Sequence, residues 1–356
     1  MSFTNPFLPS TSRPGHGTVH LALLPPNTPV LQTVTYQYPL KLIAPEPLHL
    51  PAHPSHPTTP GPLIHTLFLL TYGGGLVAGD TISLTLTLAP TTRLVLLTQG
   101  ATKIFKTPSP ALVSRQLTHT TLAPASALCY LPDPVQPFAD AAVSLSAIYD
   151  LESPGGDTPA ASLCVLDWVS EGRRARGERW SFHAYRSRNE VWAVDVRTGR
   201  RRLLLRDNQV LDRWATGTLS GRAATHPATT HSEELAGRMD GLGVFGTLIL
   251  RGPVFEGLGE AFMREFEALP RIGGRKWEDD APSPTKLSAL EAQRAARRKQ
   301  EAGDGVVWSA ARVRGFVLVK FGAREVEGAR RWVRGMIGSE GSVAREFGEG
   351  ALLCLK

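Results

Sequence analysis

Cysteine is scarce in this 356-residue chain: only Cys129, Cys164 and Cys354. They are odd in number and far apart, so they form neither a C-x-x-C pair nor a disulfide framework. A reducing compartment, most simply the cytoplasm, is therefore expected. Long apolar runs are missing as well. No stretch of about 18 apolar residues occurs, which excludes a membrane-spanning helix and makes a membrane partner unexpected. The opening "MSFTNPFLPSTSRPGHG" lacks the basic start and apolar block of a secretory signal. The sequence also has no G-x-S-x-G elbow, no H-E-x-x-H and no Cys/His pairing with a family context. Ser/His/Asp triads, whose members need only meet in space, stay open at this level.

Charge is present but uneven. The net charge is +7, and residues 1–163 hold 6 Lys/Arg against 7 Asp/Glu, leaving the excess to the second half. A basic half raises the question of nucleic acid. However, "EGRRARGE" and "REVEGARRWVR" interleave acids with bases, as a solvated or protein-binding face does. Zinc-finger, homeodomain and RNP1 patterns are absent, so nucleic acid is not an expected partner.

Short strand-like runs dominate. They include 17–24, 30–38, 63–71, 81–89, 92–99, 115–123, 126–131, 143–149 and 162–170, then 179–185, 190–197, 200–206, 244–251 and 313–320. Pro or Gly punctuates the joins, and no helical pattern lies between successive strands of the first half. This predicts a mainly β fold of many short strands with few helices, rather than βαβ units, and no parallel crossovers. Helices are expected at about 231–239, opened by a Thr230/Glu233 capping box, at 258–269 and at 323–337. In the last of these, Val326, Ala329, Trp332, Val333, Met336 and Ile337 form one apolar stripe, read first as core and second as a partner groove. One domain spanning 1–356 is expected, with insertions at 44–62 (Pro-rich), 152–161 and 271–304. The last insertion ends in a segment polar on nearly all sides, expected to be mobile or solvent-bridging.

The stretch "YGGGLVAGD" at 72–80 nearly fits two phosphate-binding patterns. Gly74 to Thr81 reads as a P-loop with Asp80 in place of the lysine, and Gly73 to Ala78 as G-x-G-x-x-A. Both patterns require a helix immediately after the glycines. The next residues are instead "TISLTLTLA", where Ile82, Leu84, Leu86 and Leu88 alternate with Ser and Thr, the period of a half-buried strand. The glycines are therefore expected in a tight turn or bulge between strands. Asp80, with Asp133, Asp140, Glu171 and Glu178, belongs to the acids in weakly charged surroundings that suit divalent cations. Turn capping and surface ion pairing are the plainer alternatives. His49, His53 and His56 make H-x3-H-x2-H in the Pro-rich loop, a metal pattern that no local Cys or carboxylate completes. His119 and His183 read as packing residues.

Three blocks together resemble one family. "YGGGLVAGDTISLTLTLAPTTRLVLLTQGATKIFK", "LCYLPDPVQPFADA" and "DWVSEGRRARGERWSF" are similar, in that order, to the hallmarks of the urease accessory protein UreD family, called UreH in some bacteria. The motif positions are Gly74, Gly75, Gly79, Asp80, Gln99, Thr102 and Lys103. The resemblance covers roughly 15–255, and more weakly 306–337. Gly100 stands where the family usually has Ala. The resemblance implies a fold of stacked sheets and a scaffold rather than an enzyme. It also implies a role in loading nickel into apo-urease, with UreF as direct partner and UreG reached through UreF. No tightly bound cofactor is implied, only transient nickel moving through an internal passage lined partly by acids. Asp80, Glu171 and Glu178 are the expected passage residues, and the region beyond about 210, including the stripe, is the expected UreF contact. The alternative is a β-rich metal-dependent hydrolase or an uncharacterised binding protein.

Overall fold

The computed structural model describes residues 13–51, 61–153, 160–212, 231–270 and 289–356. The first strands are β1 (His16–Leu24), β2 (Thr28–Tyr36), β3 (Leu40–Ile43), β4 (Leu48–His49), β5 (Leu63–Thr71), β6 (Gly75–Leu76), β7 (Thr81–Leu88), β8 (Arg93–Leu97) and β9 (Thr102–Ile104). After them come β10 (Ser114–Leu122), β11 (Ala127–Tyr130), β12 (Val135–Pro137), β13 (Ala142–Ser153), β14 (Ser162–Ser170), β15 (Ala184–Asp195), β16 (Arg201–Asp212) and β17 (Val244–Arg251). The hairpin of β18 (Val307–Val313) and β19 (Phe316–Ala323) completes the set. The helices are α1 (His231–Arg238), α2 (Glu256–Glu267), α3 (Ala289–Asp304), α4 (Val326–Glu340) and α5 (Ser342–Phe347). The mainly β expectation holds.

The pairing differs from expectation. One sheet runs β16-β15-β13-β10-β7-β1-β2 and the other β18-β19-β17-β14-β11-β8-β5-β3. Strands β7, β10, β13 and β15 pair in parallel, as do β5, β8, β11 and β14. Parallel neighbours need a long crossover, ordinarily a helix. Here the crossover is a strand of the opposite sheet: the chain passes from β7 to β8, on to β10 and β11, then β13 and β14. It coils as a solenoid does, so parallel ladders form with no helix between them. A lack of helices in the sequence therefore did not imply a lack of parallel strands.

Two apolar layers result. The first lies between the sheets, where Leu84, Leu86 and Val143 of one meet Leu94, Leu163 and Val165 of the other. The second lies on the far face of the β14 sheet, where Trp168, Phe321 and Cys164 meet Phe262 of α2 and the α4 stripe Ala329, Trp332, Val333, Met336 and Ile337. Strand β14 is thus covered on both sides, which explains its near-continuous apolar reading "SLCVLDWVS". The α4 stripe is core, so it is not a surface on which a partner could dock.

Several boundaries move. The segment expected as a strand at 179–185 is mostly irregular, and β15 begins only at Ala184. The run 313–320 straddles the tight turn Arg314–Gly315 between β18 and β19. The Pro-rich insertion is not wholly without ladder, since Leu48 pairs with Ile64 and His49 with Leu63. The charged segment before β18 contains α3, whose Arg294 and Arg297 pair with Glu265 of α2 and whose Glu301 is buried against α4. That part bridges helices rather than solvent. His53, His56, most of 152–161, residues 271–288 and the expected Thr230/Glu233 box lie outside the described residues or their side chains. Among the described residues, no helix is long and apolar enough to cross a membrane.

Candidate functional site

The three sequence blocks meet in space. In the first, Gly75 pairs with Lys103 and Leu76 with Ile104. In the second, Val135, Gln136 and Pro137 pair with Thr102, Lys103 and Ile104, and Val135 also pairs with Val169 of β14. The third closes on the second, where the Gln136 amide donates to Gly172 O and the Ala139 N–H to Glu178. Short strands β6, β9 and β12 thus build a small ladder at one end of the β14 sheet.

The ladder explains the glycines. A Cβ at Gly75 would lie 2.2 Å from Lys103 O, so the backbones approach too closely for any side chain. Gly79 has φ +82°, and Asp80 closes the turn, its Oδ2 accepting from Val77 N–H at 3.0 Å. The turn leads into β7 rather than a helix, and no phosphate cradle forms. Gly75→Ala is expected to force β6 away from β9 and to destabilise the fold by about 1–3 kcal/mol, the range of overpacking. Urea unfolding of the variant measures this, and an unchanged midpoint would show that the ladder yields freely.

The expected acids occupy separate settings. Asp80 is half-exposed, in the turn just described. Glu171 is buried and held by Arg179 Nε at 2.8 Å and, more loosely, Arg174 at 3.7 Å. Glu178 takes both oxygens to Arg173, which holds its carboxyl below the usual range. That guanidinium lies 3.8 Å above the Phe138 ring. The structure brings Glu171 and Glu178 into one loop and already neutralises both. Gln99 is exposed, whereas its neighbours Thr98 Oγ1 and Gly100 N–H both donate to Asp133 Oδ2. Asp140 is exposed, and His183 Nε2 lies 3.9 Å from it. His119 pairs with Asp150 on the outer face of the β7 sheet, and His49 is exposed. Among the described residues, no three His, Cys, Asp or Glu gather as metal ligands would. Cys129 and Cys164 face each other in register as buried free thiols, and burial pushes Cys164 well above the usual thiol range.

One acid was missed. Asp167 stands alone in "SLCVLDWVS" and points between the sheets, on the same face of β14 as Val165 and Val169. Its Oδ2 accepts from Ser187 Oγ at 2.5 Å and Asn189 Nδ2 at 2.6 Å, and its Oδ1 from Tyr185 OH at 3.3 Å. Burial raises its pKa, these hydrogen bonds partly oppose the rise, and the charge of Asp207 adds to it. A cavity of about 50 Å³, room for a few waters, touches Asp167, Asp133, Thr102, Gln116 and Thr118. Polar groups continue past it. Gln209 Nε2 reaches Asp167 O and Thr247 Oγ1, and Lys320 Nζ reaches Thr247 Oγ1 and Asp207 Oδ1 at 2.8 Å. At the other end, Arg330 donates to Asp133 Oδ1 at 2.6 Å. Asp207 Oδ2 and Gln209 Oε1 have no hydrogen-bond partner among the described residues. A polar seam therefore runs through the inter-sheet core from Asp133 to Asp207. The signal for it in the sequence was a carboxylate inside an otherwise apolar strand.

A profile described as UreD urease accessory protein matches residues 15–349. Urease accessory protein 4 of Cryptococcus neoformans is 32% identical over 359 residues, covering 94% of this chain and 93% of its own. The uncharacterized urease accessory protein ureD-like of Schizosaccharomyces pombe is 29% identical over 83% of this chain and 84% of its own. Urease accessory protein UreD of Sorangium cellulosum is 32% identical over 66% of this chain and 61% of its own. With the profile spanning nearly the whole length and the three motif blocks folded onto one another, this chain belongs to the UreD urease accessory protein family.

Proposed function

We propose that this protein acts in urease maturation as a non-catalytic scaffold in the cytoplasm, which binds apo-urease and UreF, is linked through UreF to UreG, and conducts nickel toward the urease site. The relatives' names support the maturation role. The polar seam supports conduction, because burying carboxylates between two apolar sheets is costly and calls for a use. Nickel is cargo here, not a resident cofactor. Asp133 and Asp207 already carry cationic partners, whereas Asp167 has only neutral donors. A divalent ion needs a deprotonated ligand, so it would compete at Asp167 with a proton whose binding burial favours. Singly spaced carboxylates bind weakly enough to release the ion. Asp80 is proposed at the rim of this route, with Glu171 and Glu178 as companions on the arginine-rich loop.

The test is co-expression of urease with its accessory partners, with and without this chain, reading urease activity and bound nickel. Equal activity in both would remove the maturation reading. Asp80→Asn adds a finer arm. Asparagine keeps the Oδ acceptor for Val77 N–H, so the turn and stability should hold within about 0.5 kcal/mol. Nickel in urease should fall at limiting nickel if the charge matters. Normal maturation by that variant would leave Asp80 as a turn residue.

A further inference from the structure

Away from the seam, arginines gather where the β18–β19 turn meets the start of α2. A cavity of about 380 Å³ there is lined by Arg251, Arg312 and Arg314, with Leu250, Phe255 and Val317 as its apolar floor. Its size falls in the range of small-molecule pockets. Arg251 ends β17 and is half-buried. Its guanidinium lies 4.5 Å over the Phe316 ring, and one nitrogen donates to Arg314 O at 3.2 Å. Among the described residues, no carboxylate stands within ion-pair distance of Arg251, Arg314 or Arg202. Burial lowers the Arg251 pKa, and the positive charge of Arg202 lowers it further. Arg312 is different, being paired with Glu260. Among the described residues, Glu256 is the one acid on the cavity wall, and it is exposed. Helix α2 also begins here, continuing the 3-10 turn Pro253–Phe255, so that Phe255 N–H donates to Gly252 O and Glu256 N–H to Pro253 O.

A half-buried guanidinium among like charges is destabilising unless an anion offsets it. Its planar fork fits oxyanions, and Arg312 and Arg314 on the same wall add charge of the same sign. We propose that this cavity is an oxyanion site that takes a small phosphate- or carboxylate-bearing molecule, with Arg251 as its anchor. The concave shape and apolar floor favour a small molecule over a flat protein contact. The site shares no residue with the seam, so it stands or falls independently of nickel conduction.

Titration calorimetry on the full chain, with sodium phosphate and sodium citrate at constant ionic strength in a chloride buffer, tests this. Saturable one-to-one binding of at least one anion is expected, and the tighter of the two identifies the ligand class. Arg251→Met should weaken that binding roughly tenfold or more, as loss of a charge-assisted bidentate contact does. Glu256→Gln should tighten it, because a repelling charge is removed. Arg174→Met, on a different loop, should leave it unchanged. No saturable heat with either anion up to about 10 mM would overturn the proposal. Unchanged binding by Arg251→Met, or equal weakening by Arg174→Met, would overturn it too. If Arg251→Met fails to fold, the exposed-residue variants Arg314→Met and Glu256→Gln decide. Binding that neither weakens with the first nor tightens with the second refutes the site.

Discussion

Asp167→Asn is expected to fold as well as the wild type, or better, and yet to deliver less nickel. Asparagine is the same size. Its carbonyl can accept from Ser187 and Asn189, and its NH2 can donate to Tyr185 OH, so the three contacts around the side chain survive with their roles redistributed. What disappears is the charge. The folded-state pKa of Asp167 lies above the ordinary aspartate value, so the folded chain holds this proton more tightly than the unfolded one. Its contribution to stability is full below the unfolded pKa and is lost as pH rises through the raised folded value. Above that folded value the ionised wild-type side chain is a burden that asparagine lacks. The urea midpoint of the variant should match or exceed the wild type at pH 7, with a smaller decline between acidic and neutral pH. Delivery should move the other way. If the seam is the proposed route, a cation there would lose the seam carboxylate that has no cationic partner among the described residues, which at about 1.4 kcal/mol corresponds to roughly tenfold less nickel loading when nickel is limiting. A variant that keeps wild-type nickel loading would show that the seam is not the route. A fall in stability at neutral pH would show that Asp167 serves the fold as an anion.

Trp332→Ala should be the most damaging single change in the helical layer. Trp332 is buried, its ring 5.5 Å from Phe321, 5.3 Å from Trp308 and 6.1 Å from Phe262. Removing a packed tryptophan leaves a cavity that rigid neighbours cannot fill, at a cost of about 3–5 kcal/mol. A second loss adds to it. The indole N–H donates to Glu301 Oε1 at 2.8 Å, alongside Trp308 at 3.2 Å and the nearby Arg297. Glu301 is buried, so taking away a donor raises the cost of its charge. The combined effect is a large part of a typical folding free energy, and soluble expression itself should drop. Trp332→Phe keeps a six-membered ring and loses the N–H and the smaller ring, so it should be markedly milder. Equal damage from the two would assign the effect to the hydrogen bond instead of the cavity. Denaturant midpoints of the two variants separate these outcomes.

Some features were legible in the residues themselves. The alternation of "TISLTLTL" marked β7 because a half-buried strand must place every second side chain in the core. The three-and-four spacing of the apolar stripe marked α4 for the corresponding helical reason. Membership of the UreD family was legible in three ordered blocks, and Gly73, Gly74 and Gly79 of "YGGGLVAGD" do sit in turns, whereas Gly75 lies extended in β6. The sequence alone decided the local period of each segment and the family, since both depend on residues near one another in the chain. It did not decide how the strands pair. Parallel ladders depend on which sheet each strand joins, and the crossover here is another strand, with no period of its own to mark it. Nor did it find the seam. Asp133, Asp167, Ser187, Gln209, Asp207 and Lys320 come from strands and loops far apart in the chain, and only folding sets them side by side. Asp80, Glu171 and Glu178 stood out because glycines or arginines flank them. Those same neighbours, a turn amide and the guanidinium groups, occupy their oxygens in the fold. Tertiary structure decided which carboxylate was left between the sheets without a cationic partner, because that depends on the partners each acid meets across the core.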